Sequence, residues 1–138
     1  MPVSDLRAVI DLPPVSRSVP TARRVVAGLL AAWAAEAYCD DAALLVSELV
    51  TNVVRHVPGD DPLTLEMHLS APGLRVAVVD RSATRPAVRA QSADGGHGMW
   101  LVSRMADRWG SEKHADGKRV WFELGAAASR TSRGSLGA

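Results

Sequence analysis

The stretch Glu48-Leu-Val-Thr-Asn52-Val-Val-Arg-His56 places a carboxylate, an amide and an imidazole at four-residue intervals inside an otherwise apolar segment. Upstream, from Asp40 onward, apolar residues recur at three- and four-residue steps, and neither Gly nor Pro interrupts them. Asp40 and Asp41 suit the first turn of a helix, where the helix dipole favours negative charge. The spacing therefore predicts a helix that carries Glu48, Asn52 and His56 on one face.

Glu48 and Asn52 would lie on the flank of the buried stripe, where an ionised carboxylate without a partner is costly. A bound ligand would relieve that cost. Two simpler interpretations stay open on this stretch alone. One is a surface flank with Asn52 hydrogen-bonded locally, and the other is a terminal His56 that only complements the helix dipole.

Two polar motifs further along the chain favour a ligand. The run Leu74–Asp80 is mostly apolar and predicts a strand that ends in a carboxylate, and Gly95-Gly-His-Gly98 precedes a second apolar helical pattern that begins at Met99. The order is a helix with Glu and Asn, a strand ending in Asp, and a Gly-rich loop entering a helix. This order is typical of a nucleotide site.

Each part of this arrangement has a chemical reason. An Asn oxygen suits a hard, octahedral Mg²⁺ that keeps waters and phosphate oxygens as its other ligands, and a neighbouring Glu can accept a proton. A strand-end Asp can accept a hydrogen bond from the adenine amino group. Glycines before a helix let backbone N–H groups approach phosphates. Taken alone, Gly96-His97-Gly98 also fits an ordinary loop turn.

Together, Glu48-x-x-x-Asn52-x-x-x-His56, Asp80-x-Ser82 and Gly96-x-Gly98-Met99 resemble the three nucleotide-binding boxes of the Bergerat-fold (GHKL) ATPases. Three longer phrases resemble the single-domain branch of anti-sigma-factor serine/threonine kinases that is abundant in actinobacteria. They are Leu44-Leu-Val-Ser-Glu-Leu-Val-Thr-Asn52, Ala106-Asp-Arg-Trp-Gly110 and Val120-Trp-Phe-Glu-Leu124. The resemblance runs from about Val15 to Leu124.

The resemblance implies an α+β fold, the two-layer α/β sandwich of the Bergerat type, with a mixed, mainly antiparallel sheet and about three helices on one face. It implies ATP and Mg²⁺ as cofactors, Asn52 as the metal ligand, and Glu48 as the catalytic base or as the residue that orients the attacking group. Asp80 would read the adenine amino group, so that ATP binds better than GTP. The other residues carried over to the nucleotide site are His56, Ser82, Gly96, His97, Gly98 and Met99. For His97, contact with a phosphate and a chance place in the loop both stay open.

Two departures from the family pattern bear on function. The second box has no glycine after Asp80, as is common in this branch. Relatives place a threonine beside the final strand after Gly117, and here Lys118 and Arg119 occupy that place. The threonine hydroxyl near adenine would be absent, and two bulky cations would either pair with acids or crowd the purine.

Length and composition predict one cytoplasmic domain. The 138 residues suffice for a single core. The resemblance implies an ATP-binding domain at 15–124, which follows a segment 1–14 with a possible first strand and precedes a tail 125–138 whose composition predicts disorder. The net charge of +1 gives no reason to expect direct contact with nucleic acid or a membrane. The apolar run Val25–Ala35 is too short to cross a bilayer, and Met1–Asp5 lacks the basic start of a signal peptide.

The remaining periodicity predicts further elements. Ser18 or Thr21 would cap a helix that runs to Trp33. The alternation in Leu63–Ser70 and Leu74–Asp80 predicts a hairpin, and a second hairpin would join 108–113 to 119–124 through Ala115-Asp-Gly117. A third helix would span Met99–Asp107.

Three functions fit these observations. The first is a regulator that phosphorylates a serine or threonine of an anti-sigma-factor antagonist, with Glu48 accepting the hydroxyl proton. The second is a regulator without catalysis that docks a sigma factor or an antagonist, with or without nucleotide, and the residues at 118 and 119 favour it. The third, ranked lowest, is the detached catalytic domain of a histidine kinase. The partners implied are a sigma factor, an anti-sigma-factor antagonist, or both, and a homodimer stays open.

Overall fold

The computed structural model describes residues 5–57, 59–81 and 98–125 of the chain. They form five strands, three α-helices and a short 3₁₀ turn at Glu36–Tyr38. The order along the chain is β1 (Leu6–Leu12), α1 (Ser18–Ala32), α2 (Cys39–His56), β2 (Leu63–Ser70), β3 (Gly73–Asp80), α3 (Gly98–Met105), β4 (Arg108–His114) and β5 (Gly117–Gly125). Each helix and strand predicted from periodicity in these ranges is confirmed to within a few residues.

The strands form one sheet in the order β1-β2-β3-β5-β4, and all four pairings in the described part of the chain are antiparallel. The two predicted hairpins, β2–β3 and β4–β5, are both present. The second hairpin places β5, its last strand, directly beside β3. The predicted α+β sandwich is thereby confirmed.

Alternation along the strands separates a covered face of the sheet from an open face. In β2 and β5, every second side chain is buried and the intervening ones are half-exposed. The buried positions join one apolar cluster with the helices, in which the largest fully buried side chains are Phe122, Leu30, Leu45, Leu49, Leu63, Leu65, Leu74 and Leu124. The helices therefore cover one face, and the other face carries polar and charged side chains.

Helix α2 packs into the core through the apolar stripe that its sequence predicts. Leu45, Leu49 and Val53 are all buried, Asp40 and Asp41 lie in its first turn, and Arg55 and His56 lie in its last turn. The carboxylates at the start and the Arg55 guanidinium at the end complement the helix dipole. The helix packs against α1, α3 and β3, so its position relative to the end of β3 is set by the core.

The predicted cap of α1 is wrong. Ser18 is the first helical residue rather than the cap, and Arg17, at the cap position, makes no side-chain cap hydrogen bond. The Ser18 hydroxyl instead donates to the Pro13 carbonyl at 2.6 Å, and the Thr21 hydroxyl donates to the Arg17 carbonyl at 3.0 Å. The Ser18 hydroxyl thereby bonds the turn that precedes the helix, and the Thr21 hydroxyl bonds the start of the first helical turn.

Some predictions fall outside the described residues. They concern Ser82, Gly96 and His97, and the tail that follows Gly125. The division into three segments stays a prediction. No helix in residues 5–57, 59–81 or 98–125 is both long and apolar enough to cross a membrane.

Candidate nucleotide site

Helix α2 presents Glu48 and Asn52 on successive turns, about 6 Å apart along its axis. Both residues are half-buried, while Leu49 and Val50 beside them are buried in the core. His56 follows one turn later and is exposed. The structure thus places Glu48 and Asn52 at the edge of the core, as predicted, and His56 further out.

Asp80 ends β3 on the covered face of the sheet and is only 4 % exposed. Its partner across the ladder is Lys118 in β5, which is equally buried. The Lys118 Nζ lies 2.9 Å from one oxygen of the Asp80 carboxylate and 3.2 Å from the other. The residue predicted to read the nucleotide base therefore shares a buried ion pair with a lysine.

Gly117 makes this approach of β5 to β3 sterically feasible. A Cβ atom at this position would overlap the Asp80 carbonyl oxygen and the Arg81 Cα. Without a side chain, the β4–β5 turn closes against the backbone at the end of β3, and Lys118 then faces Asp80. A glycine followed by a lysine thus determines which side chain meets the carboxylate.

Arg119 points to the open face of the sheet, whereas Lys118 points to the covered face. Its guanidinium donates to Glu66 at 2.9 Å and to Glu112 at 3.0 Å. The hydrogen bond that Arg119 donates to Glu66 is the main cause that raises the pKa of Arg119, so the guanidinium stays charged. Of the two alternatives for these cations, pairing with acids or crowding the purine, Arg119 shows the first, because successive strand residues point to opposite faces and Arg119 points to the open one.

The glycine box is described only at its end. Helix α3 begins at Gly98, and Met99 is buried in the apolar core at 5 % exposure. Within the described ranges, the elements that carry Glu48, Asn52, Asp80 and Gly98 belong to one packed unit, since α2 contacts both β3 and α3.

The chain matches the model of a known protein family. The family model described as a histidine kinase-like ATPase domain matches residues 12–124, which is most of the chain. The chain belongs to this family. No curated protein is similar enough to be matched to it. Membership in the histidine kinase-like ATPase family supports ATP binding and agrees with the sandwich fold.

The residues of this histidine kinase-like ATPase domain fit a Mg²⁺ that is bound jointly with nucleotide. In the part of the chain that the structure describes, no three His, Cys, Asp or Glu side chains come together as a metal cage. The half-buried Asn52 offers a neutral amide oxygen. A Mg²⁺ held there would take its other ligands from phosphates and waters, which is the usual arrangement in phosphoryl-transfer sites.

Sequence reasoning missed the partner of Asp80. It treated Lys118 and Arg119 as one unit because both stand where relatives of the family carry a threonine. Strand alternation after Gly117 was the available signal, since it puts Lys118 in phase with the buried Val120 and Phe122. The ladder register that brings Lys118 opposite Asp80 follows from long-range pairing and has no local signature.

Proposed function

We propose that this protein is a Mg²⁺-ATP-binding regulator of the anti-sigma type that phosphorylates a serine or threonine of an anti-sigma-factor antagonist. The observation that carries the proposal is the pair Glu48 and Asn52, half-buried one turn apart on α2, in the same packed unit as Asp80. A base for the attacking hydroxyl and an oxygen ligand for Mg²⁺ are groups that phosphoryl transfer from ATP uses, and a buried carboxylate can accept from the adenine amino group. The anti-sigma assignment itself comes from the resemblance of the longer sequence phrases.

The chain contributes three functions to the reaction. The Glu48 carboxylate accepts the proton of the attacking hydroxyl as the new O–P bond forms at the γ-phosphorus and the bond to the ADP oxygen breaks. Asp80 binds the adenine of the nucleotide and orients it. Asn52 holds the metal, and the bound Mg²⁺ supplies charge neutralisation at the phosphates. The products are ADP and a phosphorylated antagonist.

A second function is favoured by one observation. The ammonium group of the buried Lys118 already lies within 3.2 Å of both oxygens of the Asp80 carboxylate, which weakens the case for ordinary adenine recognition. A regulator that docks a sigma factor or an antagonist without catalysis would tolerate this pair. It would keep the fold and lose phosphate transfer.

One experiment separates the two functions. The full chain is titrated with Mg²⁺-ATP by calorimetry and then incubated with γ-labelled ATP and candidate antagonist proteins encoded beside it. The kinase proposal expects label on one serine or threonine of one antagonist, and replacing that residue with alanine removes the label. Stable complexes without any transfer of label would support docking alone and contradict the kinase proposal.

A further inference from the structure

Strand β1 lies at one edge of the sheet. In the part of the chain that the structure describes, its single strand neighbour is β2, so the backbone N–H and C=O groups on its other side face no strand. Val9, the midpoint of β1, is 68 % exposed and is the most exposed large apolar side chain in the described ranges. An open backbone edge and an exposed apolar side chain therefore coincide in β1.

The two edges of the sheet differ in their protection against pairing. Charged side chains on an edge strand discourage it from pairing with another chain. Strand β4, at the opposite edge, has the sequence RWGSEKH, in which charged residues recur along the strand. Strand β1 has the apolar centre Ala8-Val9-Ile10 between Arg7 and Asp11. Of the two edges, that of β1 is the one suited to receive another strand.

On the covered face, the apolar side chains of β1 are only partly buried. Leu6, Ala8 and Ile10 pack against the core but remain half-exposed, whereas the alternate side chains of the neighbouring β2 are buried. Burying such apolar area against a further element is favourable. The helices of one copy therefore leave apolar surface that a neighbouring molecule can cover.

A second copy of this strand fits the edge. When a strand pairs antiparallel with itself, the two-fold axis passes through a residue, because opposed residues must point to the same face of the sheet. With the axis at Val9, Arg7 of each copy lies opposite Asp11 of the other. Two pairs of opposite charge then flank a contact between the two valines, and each such pair stabilises a sheet.

The same register matches the apolar residues on the covered face. Leu6 of each copy lies opposite Leu12 of the other, and Ala8 lies opposite Ile10. Every residue of β1 thus meets either an apolar residue of the second copy that matches its own character or a residue of opposite charge.

Neighbouring registers are less favourable. An axis at Ala8 places Asp5 opposite Asp11, and like charges in opposed positions are destabilising. An axis at Ile10 brings Pro13 into the pairing, and proline has no N–H to donate to a neighbouring strand. The pairing therefore has one preferred register.

We infer that this protein forms a homodimer in which two β1 strands pair antiparallel about a two-fold axis at Val9, so that the two sheets become one. The contacts within each chain allow this pairing. The Asp11 carboxylate accepts from the Thr64 hydroxyl at 2.7 Å and has capacity for further donors, and Arg7 lies 3.9 Å from the exposed Asp5. The inference does not depend on the proposed function, because the described residues of the nucleotide site lie on α2, β3 and α3.

The first test is sedimentation of the full chain at increasing protein concentration. The wild-type protein should pass from monomer to dimer within the micromolar range. Val9→Lys places two ammonium groups at the axis and should weaken dimerisation by about tenfold or more. Leu44→Lys is the matched control, because it adds the same charge at an exposed apolar position on α2, and it should leave dimerisation unchanged. Thermal unfolding checks that both variants are folded.

The second test determines the register by exchanging charges. Arg7→Asp alone opposes two carboxylates at each end of the pairing, and Asp11→Arg alone opposes two guanidinium groups. Each single substitution should weaken dimerisation severalfold. The double variant restores opposite charges at both ends and should recover the wild-type dimer, which only a register that opposes residues 7 and 11 predicts.

The outcomes separate this inference from the proposed function. A wild-type protein that stays monomeric, undiminished dimerisation of a folded Val9→Lys variant, or a charge-exchanged double variant no better than the single ones would each overturn the inference. Val9→Lys should bind Mg²⁺-ATP with wild-type affinity, since Val9 is remote from the proposed site in the sheet order. A dimer that binds no nucleotide would support the inference and contradict the proposed function alone.

Discussion

At the scale of single residues, two side chains of one helix have different proposed roles, one as a base and the other as a metal ligand. Glu48 and Asn52 lie on adjacent turns of α2 and are both half-buried. Their chemistry differs, because the carboxylate of Glu48 can take a proton and the amide of Asn52 cannot. Substitution of each should therefore damage a different step.

Glu48→Gln keeps the size of the side chain and removes the base. We expect Mg²⁺-ATP to bind with nearly unchanged affinity and phosphate transfer to slow by about 10²–10⁴-fold, the usual contribution of a general base. Asn52→Ala should instead weaken Mg²⁺-dependent binding. Calorimetry and single-turnover transfer measure the two effects separately.

The matched control for Glu48→Gln is Glu36→Gln, which alters an exposed carboxylate in the turn before α2. It should change neither binding nor rate. If Glu48→Gln and Asn52→Ala lost nucleotide binding alike, with no separate effect on rate, the division of roles would have to be abandoned.

At the scale of elements, β5 serves both faces of the sheet. Its alternate residues Lys118, Val120, Phe122 and Leu124 are buried on the covered face. On the open face, its intervening residues join a network of ion pairs and ring contacts. Arg75 lies between Glu123, at 3.3 Å, and the Trp121 ring, whose centroid is 4.3 Å away.

The entry into β5 depends on Gly117. We expect Gly117→Ala to lower the free energy of unfolding by about 1–3 kcal/mol, the range for overpacking, because the added methyl group meets backbone atoms that cannot rotate away. Urea unfolding followed by circular dichroism measures the change. The substitution should also disturb nucleotide binding, since it pushes Lys118 away from Asp80.

Gly28→Ala is the matched control in α1. A Cβ at Gly28 meets nothing within 4 Å, and alanine in a helix is more stable than glycine by about 0.5–1 kcal/mol. This variant should therefore gain stability. Equal effects of the two substitutions would contradict the view that close backbone contact explains Gly117.

At the scale of the whole molecule, the proposed site draws on α2, β3, α3 and β5, which are widely separated along the chain. A nucleotide that contacts several of these elements binds the folded state and has no equivalent site in the unfolded chain. Ligand binding should consequently appear as global stability.

Saturating Mg²⁺-ATP should raise the Tm of the protein. At a hundred times Kd the stabilisation is about 2.7 kcal/mol, which for a domain of this size corresponds to a shift of roughly 8 °C. Scanning calorimetry measures it. EDTA should remove most of the shift, because Asn52 needs the metal to engage the phosphates, and MgCl₂ alone should produce little. A shift that EDTA leaves unchanged would contradict the metal role of Asn52.

The sequence by itself determined the local elements and where several side chains lie on them. Helix α2 follows from apolar residues at helical spacing without Gly or Pro, and the β2–β3 hairpin follows from the alternation of Leu63–Ser70 and the mostly apolar run Leu74–Asp80 on either side of a Pro-Gly turn. Each of these patterns spans only neighbouring residues, so it can be recognised from the sequence without knowledge of the tertiary structure. The flank position of Glu48 and Asn52 follows for the same reason.

Only the tertiary structure decided what meets Asp80. The β3–β5 pairing that places Lys118 opposite Asp80 joins strands that are far apart in the chain. Lys118 is buried and Arg119 is not, because the helices cover only the face of the sheet to which Lys118 points. Likewise, the Ser18 hydroxyl bonds the Pro13 carbonyl instead of capping its helix, because the preceding turn brings that carbonyl near. Such contacts depend on positions in space, which local periodicity does not encode.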